Sequence, residues 1–374
     1  MKESIIIKNL GPIKEVRIDD IRKIMFIIGD SGSGKSITMK IIALFRWILK
    51  MMNIRSYLKY SKITKSPFRF RLDTYLKNTG LKELVTPSTE VIYTYGSVSI
   101  SLVNNSLKGI NKLVPQSELS LEKISFISDK RSVLADILNR DMGAVPLPFY
   151  LKETLNDFEE ANNMISEPLN MPFLGVNYVV AKGKANKRDY KIQISDNNNE
   201  IPFVFASSGM RTTTPMYVIF DFFVKQFDIV YRLNKTILTY MAQNDSLSNF
   251  KPLKDIGDIK NQRISMLIEE PELSLDPRSQ YIMLNTIVEK TMNSQNNIHL
   301  FMATHSPYIF NGLNVLLRKN ILTENDLGVY HIIDGRLYDL LSQDIETKKW
   351  FVDTTGLSEP MDRIYQEYVM YNEN

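Results

Sequence analysis

Residues 29–36 read Gly29-Asp30-Ser31-Gly32-Ser33-Gly34-Lys35-Ser36 and follow directly on the apolar run Ile24-Met25-Phe26-Ile27-Ile28. A G-x-x-x-x-G-K-[ST] pattern between a buried strand and an apolar helix, here expected over 37–49, is a phosphate cradle. The glycines let successive backbone N–H groups converge on phosphates at the helix N-terminus. Lys35 reaches the outer phosphates, the Ser36 hydroxyl is placed to ligate Mg²⁺, and Ile37 completes the binding run. The stretch predicts that the chain binds a nucleoside triphosphate with Mg²⁺.

Working outward, the chain has 374 residues, 44% of them hydrophobic, enough for one large or two ordinary domains with a real core. Its apolar stretches are broken by charge before the ~20 residues a membrane span needs. Met1-Lys2-Glu3 leads into a strand without a signal-peptide layout, so no membrane partner and a cytoplasmic location are expected. The absence of cysteine excludes disulfides, thiolate catalysis and cysteine zinc sites. His299, His305 and His331 lack the helical pairing of a histidine metal site.

Net charge is only +4 but is unevenly spread. Residues 40–71 contain Lys40, Arg46, Lys50, Arg55, Lys59, Lys62, Lys65, Arg69 and Arg71 and no acid, with Trp47, Tyr57, Tyr60 and Phe68 among them. That composition fits a surface following a DNA phosphate backbone. It equally fits a solvated helix face whose aromatics pack inward.

The alternation of apolar residues predicts strands over 4–8, 13–18 and 23–28, a hairpin around Gly96-Ser97, and a strand over 123–128. Helical patterns cover 131–140 and 152–165. Strands over 176–181, 190–195 and 201–205 are expected to return the chain to the sheet. A helix over 210–227, a polar loop over 243–263, a strand over 264–268, a helix over 277–292, strands over 298–303 and 329–333, and a helix over 360–371 complete the reading. The implied organisation is an ATPase core in two parts, 1–50 and 171–374, with a helical and basic arm inserted at 51–170.

The strand over 264–268 ends in Glu269-Glu270-Pro271. Adjacent side chains at a strand's end point in different directions, so Glu269 suits the Mg²⁺ shell while Glu270 suits orienting or deprotonating an attacking water. Farther on, Leu273-Ser274-Leu275-Asp276 precedes a helix, and a second apolar strand ends in Thr304-His305-Ser306-Pro307. His305 thus lies at the carboxyl end of a strand, on the ligand side of a P-loop sheet.

Together, the P-loop, Glu269-Glu270-Pro271-Glu272, the stretch ending in Asp276, and His305 resemble the Walker A, Walker B, D-loop and switch-histidine series of ABC-type ATPases. The opening Ile6-Ile7-Lys8-Asn9-Leu10-Gly11-Pro12-Ile13 is similar to the OLD-like, AAA-family branch of bacterial anti-phage defence and DNA repair. Ala206-Ser207-Ser208-Gly209-Met210-Arg211 resembles the ABC signature, a helix N-terminus suited to an anion. The resemblance implies an α/β P-loop fold with a mixed central sheet, an N-terminal antiparallel β-subdomain and an inserted helical arm. It implies ATP hydrolysis, and a head-to-tail homodimer or higher oligomer in which Ser208 and Gly209 meet the γ-phosphate of the opposite subunit.

Three departures stand out. Glu269 replaces the usual aspartate, no Q-loop glutamine emerges, with Asp129-Lys130-Arg131 in roughly its place, and the connection from the signature-like stretch to the Walker B-like strand is longer than in transporter ATPases. The residues after His305 lack an acidic cluster suited to a Toprim nuclease, so an effector nuclease or toxin is expected as a separate protein. A DNA-repair or DNA-clamp ATPase and a scaffold with little turnover are the alternatives.

Overall fold

The structure, a computed structural model, describes residues 1–62, 71–139, 146–183, 188–194, 199–232, 234–235, 259 and 261–372. The opening builds β1 (Glu3–Leu10), β2 (Ile13–Ile18) and β3 (Ile24–Gly29) where the alternation predicts them. The P-loop then enters α1 (Lys35–Tyr60), whose 26 residues run well beyond the expected 37–49. The basic residues do not end the helix, because apolar residues continue at helical spacing beside them; Met52, Ile54, Tyr57 and Leu58 are all buried.

After α2 (Leu72–Thr79) come β4 (Glu90–Tyr95), β5 (Val98–Val103), β6 (Ser106–Lys108) and β7 (Ser120–Ile127). Next follow α3 (Leu134–Asn139), α4 (Phe149–Met164), β8 (Leu169–Met171), β9 (Val176–Lys182), β10 (Arg188–Ile194), β11 (Glu200–Pro202) and α5 (Ser208–Lys225). The last part holds β12 (Asn261–Glu269), helix Pro277–Asn293, β13 (Ile298–Thr304), helix Pro307–Arg318, β14 (Leu327–Ile333), β15 (Arg336–Asp339) and helix Thr355–Asn372.

The fold is mixed α/β around one 11-stranded sheet of order β6-β5-β4-β1-β2-β15-β14-β3-β13-β12-β7. From β14 to β7 neighbours are parallel, whereas β1, β2, β4, β5 and β6 form an antiparallel region. The strands β4 to β7, all within residues 51–170, therefore belong to the main sheet, and β7 is its far edge.

The parallel strands alternate between two cores. Met25, Ile27, Leu267 and Phe301 face a core shared by α1 and the antiparallel strands, so the sheet wraps α1. Ile24, Phe26, Met266, Ile268 and Met302 face the other core, built with α4, α5 and the helices Pro277–Asn293 and Pro307–Arg318. Burial on both faces explains why these strands read as unbroken apolar runs.

One expectation is corrected. β8 to β11 do not rejoin the main sheet but form their own four-stranded sheet, β11-β10-β9-β8. Each strand follows its sequence neighbour through a short connection, so local antiparallel pairing satisfies the backbone without a crossover. The expected polar loop at 243–263 lies almost wholly outside the described residues. Among the described residues no helix is long and apolar enough to cross a membrane.

Candidate functional site

Strand register brings the predicted residues to one edge. Ile28 pairs with Thr304, Glu269 with Ala303, Ile268 with Ile127, and Gly29 with Ile332. The carboxyl ends of β3, β7, β12, β13 and β14 are therefore level, and the loops after them form a continuous rim, the usual ligand side of a parallel sheet.

Asp30, Ser31 and Gly32 form the exposed crown of the P-loop, while Gly34 is buried. Gly34 takes φ 112° at the entry to α1, and a Cβ there would stand 2.7 Å from Ile13 Cγ1, so glycine is required. Lys35 is buried, and its Nζ donates to the carbonyls of Gly29 (2.7 Å) and Asp30 (2.9 Å), arching over its own loop. Burial pushes its ammonium below the ordinary lysine range, and the carboxylates of Glu270, Asp30 and Glu272 oppose that shift. Ser33 Oγ is buried with no hydrogen-bond partner among the described residues. Ile37 packs on the first core.

The Ser36 hydroxyl lies beside Glu269 and favours its ionised carboxylate, so the two expected metal ligands lie together. Glu269 is 6% exposed, and Asp129 N donates to its Oε2 at 3.5 Å. Burial raises its carboxyl above the ordinary range, and the neighbouring Ser36 hydroxyl only partly offsets this. A hydroxyl and a carboxylate held together supply the hard oxygen donors Mg²⁺ takes, and the orphaned Ser33 hydroxyl suits a phosphate oxygen. The residues thus fit Mg²⁺ and a nucleotide.

Glu270 sits at φ 44°, a left-handed conformation rarely adopted by a glutamate. Its N–H donates to Ala303 O at 2.8 Å, holding it at the strand end. Its carboxylate lies 3.6 Å from His305 Nε2, and both side chains are about one-third exposed, at 35% and 37%. His305 is itself fixed from below, because its N–H donates to Glu272 Oε1 at 2.8 Å. Glu272 is buried and its Oε2 has no partner among the described residues.

The remaining predicted residues lie one layer away. Gly209 is buried at the start of α5, where a Cβ would stand 2.7 Å from the Ser274 carbonyl, so the signature-like turn packs on the loop preceding Asp276. Ser208 is exposed, and the cap is made by Ser207, which accepts from Met210 N at 3.4 Å. Asp276 is exposed and caps the helix Pro277–Asn293, accepting from Arg278 N (3.0 Å) and Ser279 N (3.1 Å). Its Ser279 bonds hold its carboxyl below the usual range.

Among the described residues, the amino-terminal part of the basic stretch is not a surface. Arg46 is 1% exposed and pairs with Glu3 (2.8 Å), Lys50 is largely covered, and Arg55 donates to the carbonyls of Ile110 and Lys112. Trp47 stacks near Tyr75 at 5.6 Å, and Tyr57 is in the core. Lys59, Lys62 and Arg71 are exposed; Lys65 and Arg69 lie outside the described residues.

The residue that sequence reasoning left without a role is Arg131, fully buried behind the two glutamates. Its signal was only the Asp129-Lys130-Arg131 triplet at the end of a strand.

No family model and no curated protein matches the chain. Among solved structures, the chain is similar to an SMC head domain from Thermotoga maritima, with 12% identity and TM-score 0.40 over 92% of this chain and 100% of that one. It is also similar to an Smc head domain with an extended coiled coil bound to the C-terminal domain of ScpA, from Pyrococcus furiosus. There identity is 11% and TM-score 0.42 over 98% of this chain and 99% of that one.

Proposed function

We propose that the chain is an ABC-type ATPase whose ATP-driven, head-to-tail dimer acts as the sensor or switch of a separate effector, a nuclease or toxin, in bacterial anti-phage defence. The observation that carries the ATPase reading is the meeting of Lys35, Ser36, Glu269, Glu270 and His305 at one edge of the parallel sheet.

In this reading the P-loop N–H groups bind the phosphates, and Lys35 exchanges its own loop carbonyls for the outer phosphate oxygens. Ser36 and Glu269 hold Mg²⁺, which when bound neutralises charge on the phosphates. Glu270 orients a water and takes its proton, and His305, 3.6 Å away, steadies that carboxylate and donates toward the γ-phosphate. Ser208 and Gly209 at the N-terminus of α5 face the γ-phosphate bound by the other copy, as the signature resemblance implies.

The anti-phage assignment rests on the OLD-like opening of the sequence. The reading as a DNA clamp through residues 40–71 loses Arg46, which lies in the core, and keeps the exposed Lys59, Lys62 and Arg71. The test is to purify the Glu270→Gln protein from its native cell in the ATP-bound form and identify its companions by mass spectrometry. A stoichiometric nuclease or toxin is expected. DNA without a protein partner would move the assignment to a clamp.

A further inference from the structure

We propose that Arg131 is a positioning residue that fixes the Glu269-Glu270 backbone and ties it to α5 at Thr212, so that a shift of the signature-like helix is felt at the catalytic glutamate. The proposal rests on the ATPase reading above.

Arg131 is 0% exposed, and its guanidinium serves three segments at once. Nη1 donates to Glu269 O at 2.6 Å and to Ser128 O at 3.2 Å, Nη2 to Glu270 O at 2.6 Å, and Nε to Thr212 O at 2.9 Å. All of these acceptors are backbone carbonyls, so what the side chain determines is where three pieces of chain lie. A buried cation is costly unless its donors are used, and here the fork is spent on holding peptides in place. Burial pushes the guanidinium down to about 10, while Glu272, Asp129, Glu270 and Glu269 oppose the shift, so it stays charged at neutral pH.

The peptide it holds matters for chemistry. Glu270 is in the left-handed region at φ 44°, a conformation that persists only when its surroundings impose it. Its N–H is tied to Ala303 O on β13 and its C=O to Arg131, so both sides of the residue are clamped. Thr212, the third anchor, lies one turn beyond Ser208 and Gly209 on α5. Displacement of that helix pulls on the same guanidinium that aims Glu270. A lysine has the charge but not the planar fork, and one ammonium cannot span carbonyls contributed by three segments.

The experiment compares the full-length wild type with Arg131→Lys and Arg131→Gln, with folding checked by thermal unfolding. The readouts are ATP affinity, kcat and KM. The folded Lys variant is expected to keep its KM within about threefold while kcat falls about 10- to 100-fold, the usual effect of displacing a catalytic group by about an ångström. In a Glu270→Gln background, Mg-ATP is expected to change hydrogen exchange in the first turns of α5, and Arg131→Lys to abolish that response. A Lys variant with lower stability but kcat within about twofold of wild type would overturn the positioning role alone. So would failure of both variants to fold, which would make Arg131 a requirement of the fold. A wild type that binds no nucleotide would overturn the ATPase reading and this proposal together.

Discussion

The two ends of the parallel strands handle buried charge in opposite ways. At the amino end, Glu3 is 2% exposed and accepts from Arg46 (2.8 Å) and Tyr93 (2.7 Å) and pairs with Arg263. Arg263 also reaches Glu122 (3.0 Å), whose other oxygen accepts from Ser265 at 2.5 Å. At the carboxyl end, Glu269 is also buried, but among the described residues it has only the neighbouring Ser36 hydroxyl and a long Asp129 N–H bond. Although burial alone would raise the Glu3 carboxyl, Arg263 and Arg46 hold it well below the usual range; for Glu269 burial prevails and its carboxyl is raised. A closed network serves the fold, whereas an incomplete one is ready for a cation.

The largest stability effect therefore belongs to the closed end. Arg46→Met leaves Glu3 buried without its main hydrogen-bonded partner and is expected to cost about 3–5 kcal/mol in denaturant unfolding, with ATP affinity of the folded protein unchanged. A small loss would show that the network is dispensable. At the open end, His305→Ala is expected to leave the unfolding midpoint nearly unchanged and lower kcat about 10²-fold. An unaltered kcat would remove His305 from the site.

Acid separates the two glutamates. Because the folded-state value of Glu3 is depressed, its stabilisation is complete above its usual 4.5 and is lost as pH falls below that toward the folded value. Glu269 is raised, so the folded state gains from its protonation, and as pH falls Mg²⁺-dependent nucleotide binding begins to weaken while the pH is still above the usual 4.5. Glu269→Gln is accordingly expected to be more stable than wild type at neutral pH without nucleotide, and to bind Mg-ATP poorly. A less stable Gln variant would contradict the contrast between the ends. The smallest effect is at Asp276, where alanine removes a helix cap worth about 1 kcal/mol and leaves KM unchanged. A raised KM would instead give Asp276 a part in nucleotide binding.

The same contrast explains what was legible in the sequence. The placement of the P-loop, the Glu269-Glu270 strand end and His305 could be read because each depends on local sequence: a strand, a turn and a helix start within a few residues. Arg46 could not, since its partners Glu3 and Glu122 lie far off in the chain and a basic residue among basic neighbours reads as surface. Arg131 was unreadable for a related reason, because its partners are backbone carbonyls, which carry no side-chain signature. The strands β9 and β10 were correctly typed, β8 was missed and the strand expected over 201–205 gives way to a 3-10 turn at Phe203–Phe205; alternation specifies a half-buried strand and not the sheet it joins.

The central claim is tested most directly by measuring ATP binding and multiple-turnover hydrolysis for wild type and Glu270→Gln side by side, with Mg²⁺. The account predicts steady turnover by wild type, and a variant that binds ATP with similar affinity while kcat falls about 10²- to 10⁴-fold. Turnover left intact in Glu270→Gln would contradict it.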